Sequence, residues 1–167
     1  KWVLIISINP GGLTGGSGTQ YFIGDWDGKE FRADDLQTRW LDFGRDNYAG
    51  VTFNDAPNSR RIFIGWMNNW DYAKDFPTEN WRGAMTLSRE LTLVSNEENI
   101  LLASNPVKEL DAYICDKLLT NTGSELLEIK TEISTADGLS TRIRVTGDSG
   151  NYFEFGYDAK TRSLFVD

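Results

Sequence analysis

Residues Arg60 to Leu91 read RRIFIGWMNNWDYAKDFPTENWRGAMTLSREL, and half of the chain's six tryptophans, Trp66, Trp70 and Trp81, lie in this stretch. Ile62 to Trp66 is a β-branched and aromatic run, which predicts a strand. Asn68, Asn69 and Asp71 then break it, because short polar side chains bond the backbone locally and favour turns. Phe76-Pro77-Thr78 predicts a further bend, since proline locks φ and restricts the residue before it. Met85 to Leu93 returns as a second strand-like run. Rings and amides thus gather where a strand gives way to a loop, the placement expected of a binding rim on a rigid sheet. The residue types suit a sugar: a flat ring covers its apolar C–H face, while Asn and Asp bond its hydroxyls. Packing is the competing account, because tryptophan is largely buried on average.

Composition narrows the classes. The chain has 167 residues and 13% aromatics, enough for a sizeable core and contrary to disorder. A net charge of −8 disfavours nucleic acid and anionic membranes as partners, since both call for a basic face. There is no histidine, which excludes a Ser-His-Asp or Cys-His catalytic set within the chain. Cys115 is the single cysteine, so no internal disulfide or cysteine-rich zinc site is available. It is expected to pack as a small apolar residue. No apolar run approaches the ~18 residues of a membrane span.

Outward from the central stretch, Trp2 to Ile8 is a nearly continuous apolar run, expected to be a strand covered on both faces. Asn9-Pro10-Gly11-Gly12 ends it, and Gly15-Gly16-Ser17-Gly18 extends a loop expected to be flexible. No helix or Lys-Ser/Thr pair follows these glycines, so they do not read as a phosphate cradle. Gln20 to Trp26 is the next strand, Asp27-Gly28 a tight turn, and Phe31 a restart of pairing. Ala56-Pro57-Asn58-Ser59 predicts the turn before the central stretch. Ser95 to Lys117 is polar and mixed, with Asn105-Pro106 inside it, and reads as a linker with one short turn near Val107–Leu110. Alternating segments Leu126–Ile133, Leu139–Val145, Tyr152–Tyr157 and Ser163–Val166 follow, separated by Asp137-Gly138, Gly147-Asp148 and Asp158-Ala159. They read as the start of an antiparallel sandwich.

The linked motifs Gly65-Trp66-Met67-Asn68-Asn69-Trp70, Pro77-Thr78, Trp81-Arg82-Gly83-Ala84-Met85 and Ser88-Arg89-Glu90-Leu91 resemble glycoside hydrolase family 32. These are the β-fructosidases: invertases, inulinases and levanases. The order and spacing are similar to the fifth propeller blade of the family's microbial branch, which Asp42-x-Gly44-x-Asp46-x-Tyr48-Ala49 would open. Ser7 to Gly12 and Gly15 to Gly24 resemble the fourth blade, and Gly150 to Asp158 with Leu164 to Asp167 the C-terminal sandwich. The resemblance implies an all-β chain. Residues 1–94 would form the last two blades of a five-bladed propeller, 95–117 a linker, and 118–167 the first strands of a β-sandwich.

The same resemblance implies a retaining hydrolase of sucrose, levan or inulin, secreted or periplasmic, with no metal or cofactor. Retaining chemistry needs two carboxyl groups roughly 5 Å apart. In the family they come from an Asp-Pro-Asn-Gly motif and a glutamate preceding the fourth blade, with a further Asp in Arg-Asp-Pro. None of these motifs occurs here, so no catalytic residue is expected in this chain. Asp25, Asp27, Asp46, Asp71, Asp75 and Glu79 read as solvated loop acids. Substrate contact is expected from Trp70 on the fructose ring, from Trp66 packed beneath it, and from Asp46, which bonds a hydroxyl or holds a neighbouring loop. Trp81 is expected in the core. The chain starts and stops within strands, as expected of a piece of a larger protein. The alternatives are a non-catalytic carbohydrate-binding β-module and an all-β structural domain.

Overall fold

The computed structural model describes residues 1–96, 99–114, 127–135 and 138–167. They form strands in two compact units, Lys1–Cys115 and Asp116–Asp167.

In the first unit, β1 (Trp2–Ile8) and β2 (Gly18–Trp26) pair antiparallel from Trp2↔Gly24 to Ile8↔Gly18. The other edge of β2 takes two short strands, β3 (Phe31–Ala33) and β4 (Arg39–Trp40). The second sheet holds β5 (Tyr48–Thr52), β6 (Ile62–Met67), β7 (Ala84–Met85), β8 (Arg89–Ser95) and β9 (Ile100–Pro106). Its order is β5-β6-β8-β9, with β7 also on β6. A bulge interrupts β5 between Tyr48 and Val51, where Ala49 takes φ 51°.

Period-two alternation decides which side chains meet. Tyr21 and Ile23 from β2, Leu41 after β4, Phe63 from β6 and Leu91 from β8 form one buried cluster, with Val3, Ile5 and Leu102 packed against it. Phe63 is fully buried, which contributes about 1.5–3 kcal/mol. The Leu102 amide donates to the Tyr21 hydroxyl at 3.3 Å, tying β9 to the first sheet.

Several expectations change. β1 is an edge strand and not a doubly covered one: Val3 and Ile5 reach the core, while Trp2 and Leu4 stay exposed. The run from Met85 to Leu93 splits into β7 and β8. The Gly65 amide donates to Thr86 Oγ1 at 3.0 Å, and the Thr86 amide donates to the Gly65 carbonyl at 2.9 Å, so the chain bends at this threonine. The expected linker over 95–117 contains β9, paired with β8 from Arg89↔Pro106 to Ser95↔Ile100. Asn105-Pro106 looked like a breaker, but Pro106 closes a strand at the sheet edge, where its missing N–H costs no ladder bond. A 3₁₀ turn over Lys108–Tyr113 follows. Arg60 bonds both Glu90, at 2.8 Å, and Glu109, at 3.0 Å, and so holds this turn to β8. Cys115 and Lys117 lie outside the described residues.

In the second unit, β10 (Thr141–Thr146), β11 (Tyr152–Asp158) and β12 (Ser163–Val166) form one antiparallel sheet. No strand is found at 127–133, where one was expected from Leu126 to Ile133. Leu126 and Asp137 lie outside the described residues. One face carries Glu154, almost fully buried between Arg142 at 2.9 Å and Arg144 at 2.6 Å. Those guanidiniums lie over Phe165 and Tyr152.

Candidate functional site

β6 ends at Met67, and the next two residues do not point to solvent. Asn68 and Asn69 are both fully buried. Asn68 Oδ1 accepts from the Asn69 amide at 2.8 Å. Asn69 Oδ1 accepts from the amides of Ser17, at 3.2 Å, and Asp71, at 3.0 Å. Asn69 Nδ2 lies within donor distance of the carbonyls of Arg45 at 3.0 Å, Ser17 at 3.2 Å and Gly15 at 3.3 Å. One amide therefore joins three loops: 9–17, 41–47 and 68–83. The expectation that these amides bond sugar hydroxyls is overturned. The hydrogen-bonding groups of Asn69 are all engaged by loop backbone, while Asn68 Nδ2 is buried without a partner among the described residues.

The result is a displayed aromatic pair. Trp66 lies half-buried on β6. Trp70, with 58% of its surface exposed, sits beside it with ring centroids 5.1 Å apart and planes at 55°. Tyr48 on β5 packs edge-on against Trp66 at 6.3 Å. The Trp70 amide donates to Ser17 Oγ at 3.2 Å, so the backbone carrying the exposed ring is itself held. Behind Trp66, Gly83 takes φ +71°, and a Cβ there would lie 2.3 Å from the Trp66 indole nitrogen. Only glycine lets the 78–83 loop pass so close to that ring. Trp81 is also 58% exposed, so the structure removes it from the core and places it on the loop surface. Arg82 Nη1 closes that loop by donating to the Trp81 carbonyl at 2.9 Å.

Asp46 is occupied by a neighbour: the Tyr72 hydroxyl donates to Asp46 Oδ1. Burial, and next this hydrogen bond to a carboxylate, push the Tyr72 phenol up to about 12. The Arg45 guanidinium lies 5.2 Å over the Tyr72 ring and pairs with Asp71 at 2.7 Å. Asp46 therefore contacts Tyr72 of the 68–83 loop. It also lines a cavity of about 390 Å³ with Met67, Thr86, Leu87, Arg89, Ser104 and Pro106. Asp42 accepts from the buried Asn47 side chain at 3.1 Å and pairs with Arg89 at 2.9 Å, anchoring the 41–47 loop to β8. The structure therefore unites Trp66 and Trp70 and gives Asp46 a supporting place. Sequence reasoning missed Ser17, Asn69, Tyr72 and the Arg45–Asp71 pair. The doubled Asn68-Asn69 was a visible signal, but its partners lie 24 to 54 positions away.

The family model for the glycosyl hydrolases family 32 N-terminal domain matches residues 1–106. The chain belongs to glycoside hydrolase family 32. Among curated relatives, a levanase from Bacillus subtilis is 35% identical over all of this chain and 28% of its own length. An invertase from Kluyveromyces lactis is 36% identical over 99% of the chain and 32% of its own length. The chain spans about a third of the length of these relatives. Among solved structures, a β-fructofuranosidase from Schwanniomyces occidentalis complexed with fructosyl-erythritol superposes with a TM-score of 0.77 at 32% identity, over all of this chain and 38% of that one. An exo-inulinase from Aspergillus awamori does so with 0.73 at 26% identity, again over the whole chain and 37% of its own. The all-β architecture is that of the family's propeller-containing enzymes.

Proposed function

We propose that this chain is part of a β-fructofuranosidase-type glycosidase that cleaves fructosyl bonds of sucrose or a fructan by retaining double displacement. Residues 1–106, which include β9 on the second sheet, serve as its fourth and fifth propeller blades, and 118–167 begin its sandwich. The catalytic carboxylates lie outside this sequence, which contains none of the three motifs that carry them in the family. The enzyme is exported, as the extracellular exo-inulinase of Meyerozyma guilliermondii is by name.

One observation carries the reading: an exposed indole, Trp70, is held at its backbone and backed by Trp66. A solvent-facing ring on an ordered mount suits the apolar face of a furanose. It also sheds water from the reacting bond and positions the sugar for attack. No proton transfer is asked of Trp70. In the full-length enzyme, Trp70→Ala should lower kcat/KM on sucrose or a fructan roughly 10- to 100-fold, the loss of about 1–3 kcal/mol of contact, with an unchanged melting temperature. Normal kcat/KM in that variant removes Trp70 from the site.

A further inference from the structure

The loop between β1 and β2 reads as a flexible, glycine-rich hairpin, yet it is held at several points beside the Trp66–Trp70 pair. Ser17 is 2% exposed, and its amide, carbonyl and hydroxyl all point to the 68–71 segment of the other sheet. The carbonyl of Gly15 takes the Asn69 side chain as well. Gly16 has φ +59°, and a Cβ there would lie 1.9 Å from Asn69 Oδ1 and 2.7 Å from Asp71 Cγ. Both the conformation and the space admit glycine alone. Next to this contact the Arg45–Asp71 pair fastens the residue that follows Trp70. The residues on both sides of Trp70 and its own amide are thus held from outside its sheet.

We infer that Gly16 and Ser17, acting through Asn69 and assisted by the Arg45–Asp71 pair, form a positioning device that sets the angle of the Trp70 ring against Trp66. The first sheet thereby tunes a sugar-facing ring carried by the second. None of these side chains need touch the sugar. Ser17 acts through a backbone amide, Asn69 through loop carbonyls and amides, and Asp71 through a guanidinium. The effect on sugar recognition rests on the reading of Trp70 proposed above, whereas the control of ring geometry does not.

Two indoles 5.1 Å apart and inclined at 55° couple their electronic transitions and produce an exciton couplet in circular dichroism, whose sign and size follow their mutual angle. In the full-length protein, the difference spectrum between wild type and Trp70→Phe isolates that couplet. Ser17→Ala removes only the acceptor for the Trp70 amide and is expected to shrink the couplet while the melting temperature stays close to wild type. It is also expected to lower kcat/KM roughly three- to tenfold, the effect of one hydrogen bond. Ser17→Thr, which keeps a hydroxyl, should restore part of both. Asp71→Asn, at a half-exposed position that any fold tolerates, gives a second variant with a smaller loss of couplet. An unchanged couplet in folded Ser17→Ala and Asp71→Asn, or no Trp70-dependent couplet in wild type, overturns the positioning role. A reduced couplet with unchanged kcat/KM leaves the positioning role standing and removes Trp70 from substrate contact.

Discussion

At the scale of single residues, the chain separates tryptophans that look alike in sequence. Trp66 and Trp70 sit four positions apart and pair, while Trp81 stands further along the same loop with the same exposure as Trp70. Exposed side chains away from special features change stability little. In this chain on its own, Trp81→Ala is therefore expected to leave the melting temperature within the scatter of wild type. Only Trp70→Ala should reduce kcat/KM of the full-length enzyme by the amount given above. Thermal melts alongside kinetic constants for both variants check this, and a large melting loss in Trp81→Ala would return it to the core. Tyr72 supplies a pH prediction. Burial and the hydrogen bond to Asp46 push its folded phenol from the ordinary 10.0 up to about 12. The neutral, hydrogen-bonded form is the favoured one, so its contribution is complete below about 10 and is lost as pH rises through about 12. Absorbance titration of the phenolates should show a late component that disappears in Tyr72→Phe.

At the scale of elements, β9 is the instructive case. It lies where a linker was expected, yet all of its residues from Ile100 to Pro106 pair with β8, and Leu102 packs on the common core. A two-stranded hairpin alone is marginal, so β9 owes its order to the sheet and core it joins. Hydrogen exchange should find the amides of β8 and β9 that bond each other protected together. Fast exchange throughout 100–106 would restore the linker. The 9–17 loop teaches the same lesson from the other side. Glycines that promise freedom in sequence adopt φ +93° at Gly15 and φ +59° at Gly16 and are then held by Asn69.

At the scale of the whole molecule, the chain displays the Trp66–Trp70 pair but contains none of the three motifs that carry the family's catalytic carboxylates. The purified chain is expected to release no fructose from sucrose, inulin or levan above a heat-treated control. Activity that persists through repurification would show that the reaction needs no residues beyond these. The chain also leaves apolar surface uncovered. In the second unit Leu164 and Val166 are 78% and 81% exposed, and Phe153 lies open on the same face of the sheet. Exposed apolar strands at a sheet edge invite pairing with another copy. Sedimentation velocity over a concentration series should show self-association, and a monomer at every concentration would contradict it.

The sequence alone determined the fold class, the family and the tryptophan-bearing turn. These are written in local signals: the run Ile62 to Trp66, the break at Asn68-Asn69, the bend at Pro77, and the order of linked motifs that follows. The strands that carry Tyr21, Ile23 and Phe63 were likewise marked by their apolar runs. Tertiary structure decided what each polar residue does. Whether Asn69 bonds a sugar or a loop depends on Ser17 and Gly15, more than fifty positions away. Whether Asp46 faces substrate or Tyr72 depends on how 68–83 folds back over 41–47. Whether Trp81 is core or surface depends on which chain covers it. Propensity and periodicity act over a few residues. A buried amide finds its partners only once two sheets have met, and that meeting converts a polar turn into the mount of an aromatic ring.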